Sequence, residues 1–338
     1  MNNYTLLQRI GEGSFGEVHR VRDNRDGSYK AAKRIRLRNV SSCDSFPNQA
    51  LREIRALQEI GRHHPNIVRL YDVVPHGSTV VLIMALLCSD LSEVLKSTAT
   101  PLPENQVKTY MKMLLQGVAY IHHNGLIHRD LKPSNLLISS TGVLKIADFG
   151  LARVHDPLHK HGSYTHQVAT RWYRAPELLF GSRRYDGGVD LWAVGTILGE
   201  LLNHSPLFPG ENDINQIYRV LQVLGKPSEI EWPNVVSLPD YGKINFPMLK
   251  QIPMKYIVPN ATPTALDLLS KLLMYNPASR IHASAGVMHA WFFTGILKPC
   301  DSDSDELVLM VHPAKHQHQK KGTGRNAIAQ ELDIPNGW

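Results

Sequence analysis

His128-Arg129-Asp130-Leu131-Lys132-Pro133-Ser134-Asn135 decides how this chain is read. Literal residues H-R-D-L-K-P-x-N at fixed spacing would arise by chance in on the order of one chain in a million, so a charged surface loop does not account for them. The spacing also makes chemical sense. Asp130 can accept the proton of an attacking hydroxyl, Lys132 can neutralise a transferring phosphoryl group, and Asn135 can ligate Mg2+. Downstream stand Asp148-Phe149-Gly150, whose aspartate would be the second Mg2+ ligand, and then Ala175-Pro176-Glu177. Upstream, Gly11-Glu12-Gly13-Ser14-Phe15-Gly16-Glu17-Val18 fits G-x-G-x-x-G-x-V. Alone that pattern is weak, because three glycines so spaced occur in about one in eight chains of this composition. Its setting between two predicted strands suits a flap over phosphates, whereas a dinucleotide fingerprint requires a helix directly after the glycines.

The rest of the chain bounds the answer. At 338 residues it has room for about two domains or one bilobal unit at ~150 residues per domain. Lys+Arg 37 against Asp+Glu 30 leaves a charge of +7, but the basic residues are dispersed, so no nucleic-acid partner is expected. The longest apolar run, Val80 to Cys88, falls far short of the ~20 residues that cross a membrane. The start, M-N-N-Y-T-L-L-Q-R-I-G, is not a secretory signal. Cys43, Cys88 and Cys300 form no C-x-x-C pair and no disulfide framework. The histidines make no recognised ligand set. The expectation is an intracellular protein with no membrane partner.

Periodicity divides the chain in two. Strands are expected at Tyr4–Ile10, Glu17–Arg22, Tyr29–Arg36, Ile67–Val73 and Thr79–Ala85, where β-branched and aromatic residues recur. Between them Ala50, Leu51, Ile54, Leu57 and Ile60 recur at helical spacing, predicting a helix from Asn48 to Ile60. Beyond Ser89 amphipathic stretches predict helices at Glu104–His123, Gly188–Asn203, Thr264–Met274 and Ala283–His289. Prolines spaced through 226–263 exclude long regular elements there. After Pro299 periodicity is lost. The expected fold is α+β and bilobal: a β-rich lobe with one key helix over 1–87, a larger helical lobe over 88–298 with a proline-rich insert at about 225–263, and a tail over 299–338.

The motifs G-x-G-x-x-G-x-V, H-R-D-L-K-P-x-N, D-F-G and A-P-E stand here in the order and spacing of the eukaryotic protein kinases, which this chain therefore resembles. The resemblance implies the bilobal kinase fold, Mg-ATP as cofactor, and transfer of the γ-phosphoryl to protein Ser or Thr. It places Lys33 on the α- and β-phosphates, with Glu53 as its ion-pair partner, beside catalytic Asp130 and Lys132 and the metal ligands Asn135 and Asp148. The nucleotide site it implies comprises Ile10, Gly11, Glu12, Gly13, Ser14, Phe15, Gly16, Glu17 and Val18 in the glycine-rich hairpin, with Ala31, Lys33, Leu137 and the hinge residues Met84, Ala85 and Leu87. Lys33 and Asp130 act on charge and are expected to pack little core.

Smaller features resemble the cyclin-dependent kinases. Pro47-Asn48-Gln49-Ala50-Leu51-Arg52-Glu53 is similar to their P-S-T-A-I-R-E helix, and Tyr164 to Arg174 to their activation segment. Mitogen-activated kinases carry T-x-Y before V-A-T-R-W-Y-R; here the triplet is Thr165-His166-Gln167. The resemblance implies Ser/Thr-Pro substrates, through an apolar pocket beside the phosphoacceptor and an unmet backbone carbonyl that disfavours an amide N–H. It also implies a phosphosite at Thr165, read by Arg52, Arg129 and Arg153 and served by an activating kinase. A cyclin-like activator is expected with less force, since P-N-Q-A-L-R-E alters the surface a cyclin grips. Compartment and role follow only by resemblance: nucleus or cytoplasm, and cell-cycle or ciliary signalling. The competing reading, a pseudokinase scaffold, usually shows loss of the lysine or of a catalytic or metal aspartate; Lys33, Asp130 and Asp148 are all present.

Overall fold

Alternation along one strand explains the upper half of the molecule. A computed structural model of the chain describes residues 3–13, 16–36, 48–77, 79–155 and 168–294. Its first part is an antiparallel sheet of β1 (Tyr4–Gly13), β2 (Gly16–Asp23), β3 (Tyr29–Arg36), β4 (Leu70–His76) and β5 (Thr79–Ala85), in the order β1-β2-β3-β5-β4. In β5, Val80 and Leu82 point to one face and Val81 and Ile83 to the other. The first pair joins Ile35 and the apolar stripe Ile54, Leu57 and Ile60 of α1 (Asn48–Ile60) in the main core. The second pair joins Tyr4, Val21 and Ala32 in a smaller cluster on the outer face. Both faces are covered, so β5 reads as one apolar run.

Past the hinge come β6 (Ser89–Asp90), α2 (Leu91–Ser97), α3 (Glu104–His123), β7 (Leu126–Ile127), β8 (Leu136–Ile138), β9 (Leu144–Ile146), β10 (Arg153–Val154), α4 (Pro176–Leu179), α5 (Gly188–Asn203), α6 (Asp213–Leu224), α7 (Met254–Ile257), α8 (Pro263–Leu272) and α9 (Ala283–Val287). Helix α5 is buried along almost its whole length, Gly188 to Leu202, as a helix apolar all round must be. Against it lies α3, whose Val107, Met111, Leu114, Leu115, Val118 and Ile121 face inward at helical spacing. The small sheets β6-β8-β9 and β10-β7 sit at the top of this region, toward the cleft. No helix among the described residues is long and apolar enough to cross a membrane.

The fold is the expected one, with shifted ends. The fourth strand starts at Leu70, not Ile67. Ile67 and Val68 are buried, at 1% exposure each, but they face β9: Ile67 bridges Ile146 and the Val68 amide donates to the Ile146 carbonyl at 2.9 Å. They belong to the joint between the two halves, where they bridge β9 and do not extend β4. The glycine-rich segment is a continuing ladder, with Gly11 opposite Val18 and Gly13 opposite Gly16. The eighth helix stops at Leu272, where the Leu273 amide closes onto the Leu269 carbonyl ahead of Asn276-Pro277. The ninth ends at Val287, before His289 turns to accept the Trp291 amide. The expected tail over 299–338, Ser14, Phe15 and Thr165 lie outside the described residues.

Candidate active site

Four segments meet at the cleft: β3, α1, the loop after β7 and the turn after β9. From β3 comes Lys33, on the same sheet face as Ile35 and therefore facing α1. Its Nζ donates to both oxygens of Glu53, at 2.7 and 2.9 Å, and to Asp148 Oδ1 at 3.1 Å. Burial works against the Lys33 charge, but the Glu53 and Asp148 carboxylates outweigh it and hold the ammonium above the usual lysine range. Lys33 and Glu53 are only 6% and 1% exposed, so the expectation that Lys33 packs little of the interior does not hold. Asp148 stands at φ +63°, a left-handed conformation that costs a non-glycine residue of order 1–3 kcal/mol and is found mostly where function fixes it.

From the segment after β7 comes Asp130. Its Oδ1 accepts from the Thr170 amide at 3.0 Å and the Thr170 hydroxyl at 3.1 Å. Its Oδ2 accepts from Lys132 Nζ at 2.9 Å and Asn135 Nδ2 at 3.1 Å. Lys132 also donates to Thr170 Oγ1 at 2.9 Å. The loop is anchored from below by Asp190 at the start of α5, which accepts the amides of His128 (2.9 Å) and Arg129 (2.8 Å) and meets His122 Nε2 at 2.9 Å. Burial raises the Asp190 carboxyl, but the His122 bond and its neighbours prevail and set it below the usual range. His128 is oriented from both ends: Nδ1 accepts the Asp130 amide, which leaves the ring proton on Nε2 to donate to the Ala147 carbonyl at 3.0 Å.

The residues expected around a nucleotide come together in part. Val18 pairs with Lys33 and Ala31 with Met84 across the sheet, while half-buried Met84, Ala85, Leu87 and Leu137 rest on the main core. Ile10 is exposed at 37%, on the hairpin above. Glu12 and Glu17 face each other across the ladder. The glycines serve different ends. A Cβ on Gly16, at φ +149°, would come within 2.0 Å of the Arg34 carbonyl oxygen, so only glycine fits; a Cβ on Gly11 would meet no atom of the described residues within 4 Å. The donor set suits magnesium as well. Asn135 uses its amide nitrogen on Asp130 and Asp148 one oxygen on Lys33, so each keeps an oxygen with no partner among the described residues, the hard ligand type Mg2+ takes.

Beside the cleft, Arg52, Arg129 and Arg153 gather. The Arg52 guanidinium is lowered by burial and by repulsion from Arg153 and Arg129. Arg129, at φ +70°, donates to the Leu151 carbonyl and the Tyr185 hydroxyl, each at 2.7 Å. Among the described residues Arg153 Nε is buried without a hydrogen-bond partner, and no described carboxylate pairs with Arg52 or Arg153. Farther along, Ala169 stands at φ +63° and its carbonyl accepts from Arg174 Nη2 at 3.0 Å. That carbonyl is therefore occupied, which corrects the expectation of an unmet one. Thr170, Asp190, Arg174 and Asp213 are site residues that the motifs did not single out; only Thr170 and Arg174 fall within a quoted segment.

The protein kinase domain family matches residues 4–292. Cyclin-dependent kinase 20 of Danio rerio is 52% identical over 322 residues, covering 95% of this chain and 91% of that protein. The Homo sapiens protein of the same name is 53% identical over 320 residues, covering 94% and 91%. Among solved structures, a chain of the CAK complex from Chaetomium thermophilum, bound to ATP-gamma-S, superposes with a TM-score of 0.79 at 34% identity over 87% of this chain and 92% of that one.

Proposed function

This chain belongs to the protein kinase family and is a serine/threonine kinase of the cyclin-dependent type, and on that premise we propose that it phosphorylates Ser or Thr followed by proline, with the residues assembled at the cleft in the roles that follow. Kinase domains bind ATP, and Mg-ATP, when bound, supplies the γ-phosphoryl group. Lys33, fixed by Glu53, holds the α- and β-phosphates below the glycine-rich hairpin. Asn135 and Asp148 would hold magnesium through the oxygens that have no partner among the described residues, and the ion would neutralise charge on the phosphates. Asp130 takes the proton of the substrate hydroxyl, and Lys132 sets a positive charge where negative charge builds up on the transferring group. Thr170 bonds to both and keeps them at working distance.

The observation that carries this reading is the joint geometry: Lys33 bonded to Glu53 and Asp148, and Asp130 bonded to Lys132, Thr170 and Asn135, all formed at once. Proline direction is supported by Arg174. With the Ala169 carbonyl already taken, an amide N–H after the phosphoacceptor finds no acceptor, and proline alone has no N–H to satisfy. The arginine cluster supports an activating phosphate at Thr165, added by another kinase. A cyclin-like activator against α1, and cell-cycle or ciliary work in nucleus or cytoplasm, are the finer readings. Mg2+-dependent phosphorylation of a Ser-Pro peptide by purified chain, set beside Asp130→Asn, tests the core of this. Turnover by Asp130→Asn equal to wild type would overturn it.

A further inference from the structure

The turn that carries Arg174 is stapled to the start of α6. Trp172 Nε1 donates to the Gly210 carbonyl at 3.0 Å and Arg171 Nη1 to the Glu211 carbonyl at 3.0 Å. Between them stands Asp213, the first residue of α6. One of its oxygens, Oδ1, accepts from Arg171 Nε and from Arg174 Nη1, each at 3.0 Å. Arg174 thus spends each face of its guanidinium on a different partner: Nε on the Val168 carbonyl at 2.8 Å, Nη2 on the Ala169 carbonyl, Nη1 on Asp213. A planar fork with three fixed partners cannot rotate without breaking all of them.

Two of those partners are carbonyls of the strained segment itself and would move with it. Asp213 alone is anchored elsewhere, on a helix whose N-terminal turn is fixed by the Asn212 side chain bonding the Asn215 amide and whose dipole favours a carboxylate at this position. We propose that Asp213 is a specificity-setting positioning residue: by holding Arg174 it keeps the Ala169 carbonyl turned away from the substrate backbone, and so enforces proline after the phosphoacceptor. The inference rests on the proline-directed reading above. It assigns Asp213 no contact with the reacting atoms. Its carboxylate is half exposed, and Arg174 keeps two other bonds, so removing its charge relaxes the choice of substrate and spares the fold.

The test uses activated full-length chain and three peptides that differ only after the serine: proline, alanine and N-methylalanine. N-methylalanine lacks the N–H but has no ring. In wild type, kcat/KM should be high for proline and recover for N-methylalanine relative to alanine. In Asp213→Ala, which removes the acceptor itself, the proline-to-alanine ratio should fall fivefold or more, chiefly because alanine improves, and the N-methylalanine-to-alanine ratio should fall with it. Asp213→Glu should keep both ratios near wild type. A wild type that prefers proline, with the ratio unchanged in Asp213→Ala or with all three peptides lost in proportion, would overturn the role of Asp213 and leave proline direction standing. A wild type indifferent to proline would overturn proline direction itself and the inference with it. Should Asp213→Ala not fold, Asp213→Ser, well suited to a helix start, is read the same way.

Discussion

The same three segments build two charge clusters that behave in opposite ways. Glu53, Asp130 and Asp148 point into the cleft; the arginines Arg52, Arg129 and Arg153 lie next to or near them in sequence on the same helix, the same loop and the same strand-bound stretch. In the cleft every charge has found an opposite one: Glu53 and Asp148 share Lys33, and Asp130 has Lys132. Beside it three guanidinium groups crowd together, with repulsion from Arg129 and Arg153 felt at Arg52 and one buried N–H of Arg153 without a partner among the described residues. A cluster of three carboxylates already paired with two ammonium groups, with a formal charge of −1, has nothing to gain from a new anion on its carboxylates. The other has a good deal to gain, and because it sits on the segments that hold Glu53, Asp130 and Asp148, whatever neutralises it also braces the cleft.

Breaking the paired cluster of the cleft should have the largest effect. Asp130→Asn should cost ~100-fold or more in kcat/KM, the scale of a lost general base, and leave the thermal midpoint within a few degrees, since Asn still accepts from Thr170. Lys33→Met should be as inactive but also less stable. It leaves Glu53 buried and Asp148 partly so, without their cation, and breaking a buried pair costs roughly 3–5 kcal/mol. Paired kinase assays and melting curves check both. If Lys33→Met melts with wild type, the ion pair is not the strut the geometry makes it.

Filling the repulsive cluster is the next test. A phosphate of charge about −1.5 to −2 on Thr165 can make one to three charge-assisted bonds to the arginines. Thr165→Ala, compared with stoichiometrically phosphorylated wild type, should lose tenfold or more in kcat/KM, about 1.4 kcal/mol of transition-state stabilisation. Equal rates would mean that another contact, such as a bound partner, braces the segments.

What could be read from the sequence follows the same divide between local and distant partners. Asp130, Lys132 and Asn135 stand within one loop, so their spacing is itself chemical information. Lys33 and Glu53 lie 20 residues apart, and nothing local joins them; only the family pattern does. Thr170, Arg129 with Asp190, and Arg174 with Asp213 meet across 40, 61 and 39 residues, separations at which an aspartate at the start of a helix reads as an ordinary cap. The two-residue strands β6, β7 and β10 are too short to carry a period. Ile67 and Val68 signal burial correctly but not their partner, because a β-branched pair looks the same within the fourth strand as in a lone bridge to β9.

The smallest effect concerns a third kind of charge site, a buried carboxylate with no counter-charge among the described residues. Glu200 on α5 is 9% exposed, and its Oε2 accepts from the Tyr173 hydroxyl at 2.8 Å. Burial raises its carboxyl above the usual glutamate range, and the Tyr173 bond offsets this only in part. A folded value raised above the unfolded one means that the folded state holds a proton the unfolded state gives up. That contribution is fully present below the ordinary glutamate range and is lost as pH rises through the folded value, leaving a desolvated carboxylate at neutral pH. Glu200→Gln keeps an acceptor for Tyr173 and removes the charge. Its melting temperature should match wild type near pH 4 and exceed it by on the order of 2 °C at pH 8. Parallel melting curves across that range would mean that Glu200 is solvated or paired in solution, and would place it with the paired cluster of the cleft.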